Sequence, residues 1–303
     1  MKRWWRNRDF ILVSAVVGGL VVGQGANWTQ PLVLPALAVV MTLSTMGIRG
    51  EMLRSPRELW RPALSGLLLN YLVLGGILLG LSFLIIKEPA INDGFVLLVA
   101  VPPAIAVIPF TEFLRGNTTF SLLATVACYL GALIITPLIA LRFWGTSFIE
   151  PGTLVIVIIE LIAAPLLVSR LLLWTSVATR LEPIKGTLTN WSFFVVMYTI
   201  IGMNRELFLQ RPLSLVPVTV IALFSTFLLG AVIAKVCKSM GIDRSTLTSL
   251  VLLGTLKNYG IAGGLALTFF SKKTAIPAAV SSVFMIVYII WLDFAKRRIS
   301  SDP

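Results

Sequence analysis

The chain of 303 residues is 57% hydrophobic and only 13% charged, with a mean hydropathy of +0.94. A soluble fold this apolar would expose aggregating patches, so a lipid bilayer is its natural solvent. It carries 25 Lys and Arg against 13 Asp and Glu and has no histidine, which excludes a His-based zinc site, a Ser-His-Asp triad and a histidine proton relay.

Apolar runs long enough to span predict ten membrane helices, at residues 10–25, 31–48, 59–86, 94–114, 119–143, 153–174, 187–203, 213–236, 246–270 and 275–294. The basic start and first apolar run have the outline of a signal peptide. Without a small-residue cleavage site they read better as a first membrane helix. With the N-terminus inside, eighteen Lys and Arg fall on the inner side and six on the outer side, and Lys257 alone lies within a span. This bias predicts a multi-pass protein of the cell (inner or plasma) membrane with both termini cytoplasmic. The net charge of +12 is then topology plus attraction to anionic lipid, and nucleic acid is not needed as a partner. Tryptophans near the span ends, such as Trp28, Trp60, Trp144 and Trp174, fit an aromatic belt. Cys128 and Cys237 sit in apolar stretches with no CxxC partner and read as small buried hydrophobes.

Ten spans divide into two halves of five, residues 1–145 and 146–303. An odd number of spans per half inverts the second copy, a transporter device that puts the binding site where interrupted helices meet. Two spans carry breaks. The fourth contains Val101-Pro102-Pro103-Ala104, and adjacent prolines remove two backbone donors and prevent a continuous helix. The ninth contains Gly254-Thr255-Leu256-Lys257-Asn258-Tyr259-Gly260, the most polar and glycine-dense interior of any span. Lys257 lies mid-span, where an ammonium costs on the order of 3 kcal/mol on insertion scales. Such a cost points to a functional or partnered charge. Glu160 in the sixth span and Glu112 at the inner end of the fourth are candidates for its partner or for a proton-bearing site. Glu160 also suits a water-filled cavity, and Glu112 also suits a local pair with Arg115.

The stretch Pro102-Pro103-Ala104, Thr111 to Asn117, Ser121, Thr125 and Thr136-Pro137-Leu138 resembles the fourth and fifth helices of the bile acid:sodium symporter family. The stretch Lys257-Asn258-Tyr259-Gly260-Ile261-Ala262, Leu265-Ala266, Phe270 and Ala275 to Val280 is similar to its ninth and tenth. Met46-Gly47 and Asn70-Tyr71 fit the same pattern. The resemblance implies an all-α protein of ten helices in two inverted five-helix repeats. Spans 3, 4, 5, 8, 9 and 10 would form a core and spans 1, 2, 6 and 7 a panel. Broken helices 4 and 9 would cross at the substrate and ion site.

Several positions depart from the family pattern. Its Pro-Gly-Gly is Pro102-Pro103-Ala104 here. Its Ser-Asn sodium-ligand pair falls on Val107 and Ile108, its sodium-binding Glu on Leu253 and its Gln on Lys257. Ser121, Thr125, Asn258 and Asn70 keep ligand or substrate-contact chemistry. Dehydrated sodium needs several oxygen ligands, and aliphatic side chains supply none, so sodium coupling is not expected. Two sodium ions and one carboxylate sum to +1, as does one protonated Lys257. The ammonium is therefore expected in a former sodium position, with a proton as the candidate coupling ion.

The function expected is secondary transport of a small organic anion, a carboxylate on a partly apolar body, with no cofactor and no metal site, by a monomer or homodimer in the lipid bilayer. The alternative is an efflux permease of the arsenite or auxin-carrier type; Val101, where the arsenite branch would carry cysteine, disfavours that branch. A membrane enzyme or receptor lacks support: the sequence has no clustered Asp pair, no metal site and no Gly-x-Ser-x-Gly elbow.

Overall fold

The computed structural model describes residues 7–46, 56–145, 151–210 and 212–301. Its regular elements are all helical. They are α1 (Arg8–Val21), α2 (Ala26–Thr29), α3 (Val33–Thr45), α4 (Pro56–Leu67), α5 (Gly75–Ile85), α6 (Pro89–Ala100), α7 (Val107–Phe113) and α8 (Thr118–Trp144). They continue as α9 (Pro151–Leu173), α10 (Val177–Met203), α11 (Arg205–Gln210), α12 (Val216–Leu223), α13 (Leu229–Ser239), α14 (Arg244–Leu253), α15 (Tyr259–Phe269) and α16 (Ile276–Ser301). Among the described residues five stretches are long and apolar enough to cross a membrane, and four shorter apolar helices, including α6 and α15, accompany them.

Local chemistry sets the helix limits. Asn117, Asp243 and Asn258 accept backbone N–H groups of α8, α14 and α15, satisfying donors that a helix start leaves orphaned. α4 and α5 form one continuous helix through a π-helical segment, Leu68–Leu74, and α12 and α13 do the same through Phe224–Leu228. An inserted residue of this kind rotates the following side chains and turns selected positions inward. In the first segment that position is Asn70, which is fully buried.

α1 packs on α10, α10 on α3 and α3 on α9. Small residues let the first pair approach: a Cβ on Gly19 would stand 3.0 Å from Tyr198 O and 3.1 Å from Gly202 N. A second group joins α4 to α8, α5 to α6, α6 to α16, α8 to α14 and α12 to α16. α15 links the two groups, touching α3 and α10 as well as α6 and α16. Apolar side chains such as Leu84 and Ile134 stand on the outside, while Asn70, Thr111, Ser121, Lys257 and Asn258 are buried. Polar inside and apolar outside is the arrangement that suits hydrocarbon.

Candidate functional site

Residues 101–106 separate α6 from α7, and residues 254–258 separate α14 from α15. In the first stretch the cause is Pro102-Pro103, which cannot donate to a helix. In the second it is Gly254, with Asn258 starting a new helix by capping Ile261 N at 3.0 Å. The two stretches meet and pair like antiparallel strands at Pro103 and Lys257. Asn258 N donates to Pro102 O at 3.1 Å and Ala104 N to Leu256 O at 3.4 Å. Each stretch thereby satisfies backbone groups that its own helix has given up.

Lys257 is fully buried at this meeting point. Its Nζ donates to Asn70 Oδ1 at 2.7 Å, Val101 O at 3.0 Å and Val99 O at 3.1 Å, which uses all three ammonium donors. It also lies 4.5 Å from the Tyr71 ring centroid. Val99 and Val101 end α6. Asn70 Nδ2 donates to Leu253 O at 3.1 Å and Leu256 O at 3.3 Å, at the end of α14. The ammonium thus serves the C-terminal end of α6 directly and that of α14 through Asn70. A helix C-terminus carries roughly half a negative charge, so two such ends match one ammonium.

Asn258 Nδ2 donates to Tyr129 Oη at 2.8 Å, and Tyr129 Oη donates to Pro103 O at 3.1 Å. Ser121 and Thr111 share a hydroxyl hydrogen bond of 2.7 Å, and Thr111 Oγ1 also reaches Val107 O at 2.7 Å. The buried Thr125 hydroxyl has no hydrogen-bond partner among the described residues and borders a cavity of about 20 Å³ beside Ile108 and Tyr129. Asn70 and Lys257 thus share one set of hydrogen bonds and Asn258 and Tyr129 a second beside it at the same break, whereas Ser121 and Thr125 lie along α8 apart from both. Gly254 and Gly260 flank the break; a Cβ on Gly260 would stand 3.0 Å from Leu37 Cδ2, so α15 lies close against α3 there. Val107 and Leu253 are fully buried aliphatics, and Ile108 is partly exposed.

Neither acidic candidate is among the ammonium's hydrogen-bond partners. Glu160 is exposed on α9, and Glu112 is exposed on α7. The partner is an amide and two carbonyls, because helix ends already supply the negative potential.

Tyr129 was not foreseen, and Tyr71 was named only as part of the family pattern, not as a site residue. Ser121, Thr125 and Tyr129 recur every four residues and Thr136 follows seven later, a polar stripe on one face of α8. Thr136 Oγ1 donates to Ala100 O at 2.6 Å. That periodicity is the signal that would have found Tyr129.

A cavity of about 570 Å³ lies between α1, α7, α8, α10 and α16. One end reaches the break at Ala106 and Ile108, beside Met197 and Met285. The other end carries Arg8, Glu112, Glu182, Lys185 and Asn190. Lys257 and Asn258 do not line it.

No family model matches the chain. It is 25% identical over 284 residues to the sodium-dependent transporter YocS of Bacillus subtilis (strain 168), covering 91% of this chain and 85% of that protein. It is 26% identical over 276 residues to the probable sodium/metabolite cotransporter BASS1, chloroplastic, of Arabidopsis thaliana, covering 88% of this chain and 67% of the relative. The Oryza sativa subsp. japonica protein of the same name is 27% identical over 290 residues, covering 94% and 66%.

Proposed function

We propose that this chain is a divergent member of the bile acid:sodium symporter family, a secondary transporter that carries a small organic anion by alternating access without sodium, a reading supported by the transporters and cotransporters it resembles. The observation that carries this reading is the Lys257 ammonium, held by three oxygens within 3.1 Å. The ammonium acts as a cation carried by the chain itself. It neutralises the ends of α6 and α14 that a dissolved ion would otherwise have to serve. A sodium ion 4 Å from it would be repelled by about 4 kcal/mol at an effective dielectric of about 20. The side chains of Val107 and Leu253 offer no oxygen to offset that repulsion. A proton is then the candidate coupling ion.

In this reading α6 with α7, and α14 with α15, are each one interrupted span within two inverted five-helix repeats. The recurrence of elements supports it. A helix with a π segment, an interrupted pair and a long helix occur in that order in both halves. Spans 3, 4, 5, 8, 9 and 10 form the core and 1, 2, 6 and 7 the panel, matching the two packing groups. The N-terminal ends of α7 and α15, freed by the breaks, favour an anion between core and panel. The Lys and Arg bias supports a cytoplasmic position for both termini and the cavity mouth in a cell membrane.

The test is uptake into proteoliposomes of a panel of radiolabelled monocarboxylates, in sodium or in choline, with and without an imposed pH gradient. Equal rates in sodium and choline are expected. Uptake that requires sodium would sink the proposal.

A further inference from the structure

α1 and α10 run side by side with a cavity at each end. The large one lies against Arg8 and Glu182, near the N-terminal ends of the two helices. A second cavity, of about 290 Å³, lies past their C-terminal ends, against Gly23 and Asn204. From Lys185 to Asn204 α10 rises roughly 30 Å, the thickness of a bilayer's hydrocarbon core. The two cavities therefore belong to opposite membrane faces. None of the residues lining the second belongs to the breaks before α7 and α15, so it is separate from the transport site.

Its walls carry hydrogen-bonding groups that the fold leaves unused. α10 ends at Asn204, which is 2% exposed. Asn204 Nδ2 donates to Ile200 O at 3.0 Å, which serves an end carbonyl of α10 and fixes which way the amide faces. Oδ1 has no hydrogen-bond partner among the described residues. A buried acceptor in that state is costly, and a ligand's donor would remove the cost. Arg205 comes next in the chain. A Cβ on Gly23 would stand 2.7 Å from Arg205 Cδ, so the missing side chain at Gly23 is what lets the arginine stem lie along the wall. Glu206 and Lys272 complete the charged lining, while Gln24 and Asn27 are neutral. Among the described residues Arg205, Glu206 and Lys272 form no ion pair. Two cations against one carboxylate leave the cavity with a single net positive charge.

That charge suits a monoanion, and the orphaned acceptor requires the monoanion to bring a donor. An ammonium can donate but adds a third cation beside Arg205 and Lys272. A hydroxyl donates without charge. Guanidinium and ammonium groups both accept a carboxylate as partner. The volume is at the lower end of the range for ligand pockets and fits a body of a few carbon atoms. We propose that this cavity is a second binding site, for a small hydroxycarboxylate whose carboxylate lies on Arg205 and Lys272 and whose hydroxyl donates to Asn204 Oδ1. Lys272 lies just before α16 of one packing group, whereas Gly23 and Asn204 belong with α1 and α10 of the other. The bound anion therefore bridges the seam between the groups, at the membrane face opposite the large cavity.

The experiment follows acetylation of Lys272 by sulfosuccinimidyl acetate in the full-length protein in lipid nanodiscs, read residue by residue by mass spectrometry. The probes share one shape: 2-hydroxy-3-methylbutanoate, 3-methylbutanoate and valine. The hydroxy acid should halve the labelling rate at about a tenfold lower concentration than the other two, the scale of one hydrogen bond to a buried group. Arg205→Gln should raise the half-protecting concentration of both acids about tenfold, and Asn204→Leu should erase the preference for the hydroxyl. Should Asn204→Leu not fold, the wild-type ratio of the probes and Arg205→Gln decide the matter. The proposal is overturned if no probe protects Lys272, if the two acids protect it alike, or if valine protects it best. It is also overturned if Arg205→Gln leaves the protection unchanged. Lys185 lines the large cavity and is labelled in the same samples, so occupancy there is read separately. Sodium-dependent uptake would overturn the transport reading and leave this site standing.

Discussion

Lys257 Nζ donates to Asn70 Oδ1 at 2.7 Å while the same Asn70 side chain donates onward to the carbonyls of Leu253 and Leu256. One amide therefore translates a lysine's charge to the end of α14 and ties the π segment between α4 and α5 to the break before α15. Both polar ends of Asn70 are used, and neither can be exchanged without loss.

Asn70→Asp tests that double use. The carboxylate would strengthen the contact to Lys257 but would face two carbonyl oxygens with no donor. A net destabilisation of about 1–3 kcal/mol is expected despite the new ion pair, from the unsatisfied carbonyls. Thermal unfolding in detergent measures it. A rise in melting temperature would mean that the Lys257 contact dominates.

Lys257→Gln removes the charge and keeps a polar side chain. Val99 O and Val101 O lose a charged donor, and we expect a loss of roughly 2–4 kcal/mol. If the ammonium stands in for a dissolved cation, the variant should regain part of that stability in sodium chloride relative to choline chloride, whereas wild type should not respond. Identical behaviour of the two proteins in both salts would refute the substitution of lysine for ion.

Tyr129→Phe breaks the bridge between Asn258 and Pro103 O, and Asn258→Ala removes the same bridge together with the cap on α15. Single losses of about 1–2 kcal/mol are expected. Because the two residues share a hydrogen bond, the double variant should cost less than the sum. Strict additivity would show that the network does not act as a unit.

Gly94→Ala places a Cβ against Thr274 O, in the turn before α16, and 2.9 Å from the Pro277 ring at the start of α16. Neither is the end of a flexible side chain. α6 must shift, at a cost on the order of 3 kcal/mol, and a lowered melting temperature together with reduced uptake should report it. Gly80→Ala, which meets no neighbour within 4 Å, is the matched control.

Asp243 caps α14 outside the apolar spans. Hydrogen bonds from Ser245 and Thr246 hold its carboxyl down to about 2, below the ordinary 3.8. A depressed folded-state value stabilises the protein above about pH 4 and loses that contribution as pH falls toward 2. Asp243→Asn should keep the cap and flatten the pH dependence of melting in that window. An unchanged slope would place the acid sensitivity elsewhere.

The polar stripe of α8 and the two breaks were legible because helices repeat every 3.6 residues and proline lacks a donor. Those rules act within a few residues of chain. The membrane character followed in the same way, from composition alone. Lys257 stood out by its mid-span charge and the resemblance added Asn70, but their contact spans 187 residues and no local rule reports it. The expectation of an acidic partner in Glu160 or Glu112 came from pairing charges by type. In the folded chain, two helix ends and one amide meet at Lys257 and supply what a carboxylate would have. The amino-acid sequence by itself thus determined where helices stop and that an ammonium lies within the membrane. Only the tertiary structure decided what that ammonium holds, because backbone carbonyls have no letter in the sequence and become ligands only when broken helices converge.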